Sequence, residues 1–256
     1  MLRFCCIGSG SEGNGLVVES GTTRLLVDCG FNVTDTVARL ARHGIEAQSI
    51  TGIVVTHEHA DHMGGVPKFA ARFGIPVWLT YGTLAAANGR MKIVEEIHAF
   101  DSHEPFVVGD IAVAPIIVPH DAREPVQYVF SDGVRRVGLL TDVGMPTKHV
   151  AECLSGCDAL VLECNHDPEL LLNGDYPPLL KRRIAGRHGH LTNEAAADLL
   201  RMIDCSRLQH LVAAHLSKQN NRPELAQAAL ASAVSCTADW IGIAGQDEGF
   251  AWRALN

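Results

Sequence analysis

The side chains best suited to chemistry gather in one short stretch, Thr56-His57-Glu58-His59-Ala60-Asp61-His62. It follows Ile50–Val55, a β-branched run that reads as a short buried strand. It precedes Gly64-Gly65-Val66-Pro67, which opens a helix through Phe73, with Pro67 in the first turn where its missing N–H is harmless. In extended backbone the side chains of His57 and His59 leave on the same side, which suits two imidazoles on one metal ion. Asp61 and His62 come after the chain turns towards the helix and can aim at a neighbouring position. Imidazoles and a carboxylate crowded at a strand end are costly to desolvate without a partner. The expected chemistry is hydrolysis at a pair of divalent metal ions.

A pair of metals needs further ligands, and later strand ends supply them. His120 follows Ile116-Ile117-Val118-Pro119, Asp142 follows Val137-Gly138-Leu139-Leu140-Thr141, and His215 follows Leu211-Val212-Ala213-Ala214. Each is a metal-ligand type closing a short apolar strand. Extended segments are also expected at Leu2–Ile7, Leu16–Glu19, Arg24–Asp28, Val77–Thr80, Ile93–Ile97, Phe106–Val108, Ile111–Val118, Val126–Ser131 and Ala159–Glu163. Helices are expected at Thr34–His43 with Thr34 as the cap, Thr147–Leu154, Glu169–Leu172, Leu179–Ala185, from the Thr192 cap to Met202, and Glu224–Ser235. Strands outnumber helices, and the helices are spread along the chain. An α+β fold of four layers, αββα, with two sheets face to face and helices outside, satisfies that pattern over 1–256 as one domain.

Composition narrows the class. The chain has 256 residues, of which 47% are hydrophobic and 20% charged, as in ordinary globular proteins. No apolar run is long enough to span a membrane, and Gly8-Ser9-Gly10 interrupts the N-terminus too early for a signal peptide, so a cytoplasmic location is expected. The eight cysteines are scattered, mostly in apolar runs, and no pair has the spacing of a zinc knuckle; reduced thiols are expected. A net charge of −8 argues against indiscriminate coating of nucleic acid but leaves room for phosphodiester chemistry, where bound metals supply local positive charge.

His57-x-His59-x-Asp61-His62, His120, Asp142 and His215, in that order, resemble the metallo-β-lactamase superfamily over essentially the whole chain. Asp28, in Leu25-Leu26-Val27-Asp28-Cys29-Gly30, matches that family's first motif, a supporting acid near the metals. The resemblance implies His57, His59 and His120 on one metal and Asp61, His62 and His215 on the other, with Asp142 and a hydroxide between them. Four further runs are similar to the YycJ (WalJ/VicX) subgroup, regarded as nucleic-acid exonucleases. They are Gly8-Ser9-Gly10-Ser11-Glu12-Gly13-Asn14, Leu162-Glu163-Cys164-Asn165-His166-Asp167, Gly189-His190-Leu191-Thr192-Asn193-Glu194 and His215-Leu216-Ser217-Lys218-Gln219-Asn220-Asn221. The same order resembles tRNase Z, which places Glu163 and His190 at catalytic positions, although Leu191 stands where that family has serine. The span from Asp142 to His215 is too short for the long inserted cap of the β-CASP nucleases.

These features set the remaining expectations. Asp61, His190 and Glu163 are the candidate catalytic residues: His190 donates a proton to the leaving oxygen or grips phosphate, and Glu163 orients it. Ser9, Ser11 and Asn14 are candidates to surround phosphate, with a purely structural glycine-rich hairpin as the alternative. Lys181, Arg182 and Arg183, with Arg187-His188, form a basic stretch suited to a polyanion backbone. Imidazole and carboxylate ligands suit zinc, manganese and iron alike; two divalent ions are expected, zinc first, with manganese or iron as alternatives. The expected activity is a phosphodiesterase or exonuclease on DNA or RNA; a hydrolase of small cyclic phosphodiesters, thioesters or lactams is the competing reading. Trp240-Ile241-Gly242-Ile243 reads either as a terminal strand or as a face for a second copy in a homodimer.

Overall fold

Along most strands, alternate side chains enter two different cores, so apolar residues run almost without interruption, as expected for sheets covered on both faces. The computed structural model describes residues 1–256. The first half supplies β1 (Arg3–Gly8), β2 (Gly15–Ser20), β3 (Thr23–Val27), α1 (Val33–Arg42), β4 (Gly52–Val54), α2 (Ala60–Met63), α3 (Val66–Phe73), β5 (Val77–Thr80), α4 (Tyr81–Ala86) and β6 (Ile97–Phe100). The second supplies β7 (Phe106–Val108), β8 (Ile111–Ile117), β9 (Val126–Ser131), β10 (Arg136–Leu140), α5 (Lys148–Leu154), β11 (Ala159–Glu163), α6 (Pro168–Asn173), α7 (Pro178–Ile184), α8 (Asn193–Met202), β12 (His210–Ala214), α9 (Pro223–Val234), β13 (Gly242–Ile243) and β14 (Phe250–Ala254).

The strands form two seven-stranded sheets, ordered β14-β1-β2-β3-β4-β5-β6 and β13-β12-β11-β10-β9-β8-β7. Each has three antiparallel pairings at one end and three parallel ones at the other. Phe4, Leu25 and Val54 of the first sheet meet Tyr128, Leu139 and Val161 of the second in one core between the sheets. The outward residues Ile7, Leu26 and Ile53 pack under α1 and α3 with Leu40 and Phe69. Leu140, Leu160 and Ala213 pack under α5, α8 and α9 with Leu154, Leu199 and Leu230. The result is the expected αββα sandwich.

Three local expectations are corrected. Asn32, rather than Thr34, caps α1 by accepting from Asp35 N, so that helix starts at Val33. Residues 90–93 form a 3-10 turn that buries Met91, and the strand begins only at Ile97, where it pairs with β5 and stacks His98 on Trp78. The final strand, β14, returns to pair with β1 and completes the first sheet. Trp240 ends a 3-10 turn, and Gly242–Ile243 forms the edge strand β13. All eight cysteines are free thiols.

Candidate metal centre and cleft

The parallel strands of both sheets end on one rim, and the loops that leave β3, β4, β8, β10, β11 and β12 carry the polar cluster. Three of its members, Asp28 (φ 61°), Asp142 (φ 52°) and His215 (φ 54°), sit in the left-handed region just beyond strand ends. That conformation costs of order 1–3 kcal/mol for a residue other than glycine and persists where surroundings over-determine it, typically at functional sites. Gly30 allows the β3 loop to press against the β4 loop, since a Cβ there would overlap the Asp61 carbonyl.

Asp28 anchors the assembly. Its Oδ1 accepts Thr56 N and its Oδ2 accepts Thr56 Oγ1, each at 2.8 Å, and its Oδ2 lies 2.8 Å from His62 Nδ1. These bonds turn His62 so that Nε2 faces the centre. His57 Nε2 lies 3.0 Å from His59 Nδ1, which is 3.3 Å from His120 Nε2. The Nδ1 of His120 contacts the Gly189 carbonyl at 3.1 Å, leaving Nε2 as the lone-pair atom. Nitrogens about 2.0–2.1 Å from a tetrahedral metal lie about 3.4 Å apart, so this spacing fits a cation between them.

A second group surrounds Asp142. His62 Nε2 is 3.0 Å from Asp142 Oδ2 and 3.4 Å from Asp61 Oδ2; His215 Nε2 is 3.6 Å from Asp61 Oδ2 and 3.7 Å from Asp142 Oδ1. Asp142 Oδ1 also lies 3.9 Å from His120 Nε2, so Asp142 faces both groups. His215 Nε2 is buried without a hydrogen-bond partner, and buried Asp142 Oδ2 has none beyond the close approach of His62 Nε2. Orphaned acceptor-type atoms at the meeting point of imidazoles and carboxylates are the donor set a divalent cation satisfies. All seven expected ligands, His57, His59, Asp61, His62, His120, Asp142 and His215, are thus brought together.

Charge follows position. Burial, reinforced by the nearby His62, holds His57 well below the ordinary imidazole pKa, and burial also lowers His120. At His62 and His215 the carboxylates outweigh the opposing effect of burial. Asp142 leads for both residues, and His215 is raised to about 10. Despite burial, Asp142 stays well below the carboxylate range because of His215 and His62, and Asp61 is lowered chiefly by His62. Without a cation, the two acids therefore take their counter-charge from protonated histidines.

Glu163, fully buried at the end of β11, joins the ligands to the cleft. Its Oε2 accepts Val143 N and Leu191 N, each at 3.1 Å, while Oε1 lies 2.8 Å from His190 Nδ1 and 3.2 Å from His215 Nδ1. Burial opposes ionisation of Glu163, but His190 and then His215 hold it down to about 2. Glu163 in turn raises His190 against the opposing effect of burial. With Nδ1 engaged, Nε2 is the free ring nitrogen of His190, whose side chain is 21% exposed.

The cleft over these residues has a volume of about 400 Å³; Ser11, Asp61, His190 and Arg183 are among the residues that line it. Not every expected contact reaches it. Ser9 and Asn14 are buried beneath it: Ser9 Oγ accepts His215 N, and Asn14 Nδ2 donates to the Gly10 and Asp61 carbonyls. Their polarity is spent holding the ligand loops together. Lys181 Nζ turns back to the Leu172 carbonyl, and Arg182 points to solvent outside the lining, leaving Arg183 as the member of the basic run at the cleft. His166 is buried, and Asp167 caps α6 through Leu170 N.

Sequence reasoning missed Asp121, next to His120. Its Oδ2 accepts Arg183 Nε at 2.6 Å, and its Oδ1 lies 3.5 Å from His120 Nε2. It also gave no role to Asn165, which donates to the His215 carbonyl at 3.0 Å and steadies that left-handed residue.

With this geometry in view, the relatives can be weighed. A model of the Beta-lactamase superfamily domain matches residues 23–215. The exodeoxyribonuclease YycJ of Bacillus anthracis is 36% identical over 228 residues, covering 88% of this chain and 86% of that protein. The exodeoxyribonuclease WalJ of Streptococcus pneumoniae is 32% identical over 228 residues, with 88% and 85% covered. Among solved structures, the metallo-β-lactamase fold protein YhfI from Bacillus subtilis superposes with a TM-score of 0.76 at 17% identity, covering 99% of this chain and all of that one. The short form of human tRNase Z gives 0.66 at 15%, with 99% of each chain covered. At such identities, structural likeness speaks for the fold alone.

The fold and the centre define a metallo-β-lactamase superfamily hydrolase, of a class that binds divalent metal. Within that superfamily, the chain belongs to the family of the YycJ and WalJ exodeoxyribonucleases. No helix is long and apolar enough to cross a membrane.

Proposed function

We propose that this protein is a binuclear metal-dependent exonuclease that cleaves DNA, or RNA, and that residues 1–256 act as one domain around a shared intersheet core. The observation that carries this reading is the convergence of two ligand groups on buried Asp142, whose Oδ2 lies 3.0 Å from His62 Nε2 and whose Oδ1 lies 3.9 Å from His120 Nε2. His57, His59 and His120 would hold one ion and Asp61, His62 and His215 the other, with Asp142 between them; zinc is the first candidate, manganese or iron the next. Bound divalent cations supply Lewis acidity, which makes water nucleophilic near neutral pH and offsets charge on phosphate oxygens.

The chain's own groups do the rest. Asp61 is ionised and partly exposed at the cleft, where it orients the attacking water through a hydrogen bond. His190, whose protonated form Glu163 favours, delivers a proton from Nε2 to the leaving oxygen. Arg183, gripped at Nε by Asp121, keeps its terminal N–H groups for a phosphate. Ser11 adds a hydroxyl at the same opening. The substrate assignment draws on the two relatives named exodeoxyribonucleases, each matched over most of its length.

The test is to purify the protein, measure bound metal, and incubate it with end-labelled single- and double-stranded DNA and RNA in zinc, manganese or iron. Two metals per chain and stepwise loss of terminal nucleotides are expected. A protein that hydrolyses bis(p-nitrophenyl) phosphate yet leaves every polynucleotide intact would favour the small-molecule reading instead.

A further inference from the structure

The cleft has two unlike walls. One is the ligand rim with Asp61, Asp142, His190 and His215; the other is built by α7 and the turn before it, and presents Tyr176, Leu180 and Ile184. Of the three tyrosines, Tyr128 is a core residue that donates to the Val55 carbonyl, and Tyr81 is 62% exposed at the start of α4. Tyr176 is half-buried and is the one aromatic lining residue besides the histidines. No residue of α7 is buried, so this wall is not part of the core that stabilises the sandwich. An aromatic ring lining the same cleft as the polar ligand floor, with Arg183 on the same helix as Leu180, matches the two halves of a nucleotide: a flat base and an anionic backbone.

From this we infer that Tyr176 is a stacking platform for the unpaired nucleobase next to the scissile phosphate, with Leu180 and Ile184 completing its apolar seat. The inference rests on the polynucleotide reading above and sharpens it: the substrate entering the cleft is a strand end whose terminal base is unstacked from its neighbours. Any base has a π-face, so this platform confers affinity for a strand end with little preference for sequence. The residue contributes binding rather than proton transfer, and its loss therefore appears in KM.

The experiment compares metal-loaded wild type, Tyr176→Ala and Tyr176→Phe on two end-labelled single-stranded oligonucleotides, one ordinary and one with an abasic terminal nucleotide. Tyr176→Ala is expected to raise KM for the ordinary strand about tenfold with kcat within about twofold, and Tyr176→Phe to restore it. Wild type should handle the abasic end as poorly as Tyr176→Ala handles the ordinary one, and the alanine variant should no longer distinguish the two. Equal losses on both oligonucleotides, or none on either, would overturn the stacking role while leaving the exonuclease reading intact. A wild type that cleaves neither oligonucleotide would instead refute the polynucleotide reading, and the platform with it.

Discussion

Replacing Glu163 with Gln separates the proton-donor role of His190 from simple packing. The substitution keeps volume and planarity but removes the buried charge that faces two imidazoles at 2.8 and 3.2 Å. A Gln whose amide oxygen takes the place of Oε2 still accepts Val143 N and Leu191 N, but it turns an NH2 towards the two imidazole nitrogens where the carboxylate had only acceptors. A hydrogen bond to a charged group contributes about 1.5–3 kcal/mol. If the Glu163–His190 pair is retained through the transition state, the loss corresponds to a kcat about 10- to 150-fold lower at metal saturation. The pH profile carries a sharper signature. Glu163 raises the His190 pKa, so the protonated donor survives to higher pH in the wild type; removing it should move the alkaline limb of kcat to lower pH. Because Glu163 also steadies His215, metal affinity should fall about 10- to 100-fold, and kinetics must be read with metal content measured in parallel. A variant with reduced kcat but an unmoved alkaline limb would refute the donor assignment. An unchanged kcat at full metal occupancy would refute any catalytic role for the pair.

Other outcomes follow from the same geometry. Asp142→Ala should lose hydrolysis and lower bound metal below two per chain; intact hydrolysis would sink the two-metal reading. Asp28→Ala, which touches neither the cleft nor the expected cations, should weaken metal binding about 10- to 100-fold by freeing His62 and Thr56, measurable by competition with a chelator. Metal at a free concentration 100-fold above its Kd should stabilise the folded chain by about 2.7 kcal/mol for each ion bound, seen as a higher Tm in calorimetry. In the metal-free protein the sign of the pH effect differs between partners. Glu163, depressed to about 2, contributes stability above its unfolded value that is lost as pH falls towards 2. His215, raised to about 10, contributes stability below its unfolded value that is lost as pH climbs towards 10. A metal-free melting profile that is flat across both limbs would contradict this charge pairing. Phe69→Ala, in the helix-side core, should cost about 3–5 kcal/mol in denaturant unfolding without altering metal stoichiometry.

The candidate ligands His120, Asp142 and His215 were legible because each closes an apolar run: a polar residue at the end of Leu211-Val212-Ala213-Ala214 has no local reason to be histidine, and three such places are hard to ascribe to chance. The sandwich was legible from the same runs, since strands buried on both faces leave little room for polar alternation. What the sequence concealed were roles decided by direction. Ser9 and Asn14 have the chemistry of a phosphate cradle, yet the backbone turns them under the ligands, where they satisfy His215 N and the Asp61 carbonyl. Lys181 and Arg183 are two residues apart on α7 and point differently, one back to the Leu172 carbonyl and one into the cleft on the carboxylate of Asp121. The edge strand at Ile97 was misplaced because Ile93 and Val94 look extended, while the core takes Met91 and Val94 from a turn. Strain adds a check that the sequence could not supply. Asp28, Asp142 and His215 all hold left-handed backbone where glycine would be easier. Glycine at those three sites should relax the backbone and still disable the centre, which identifies the side chain, and not the turn, as the reason each residue is there.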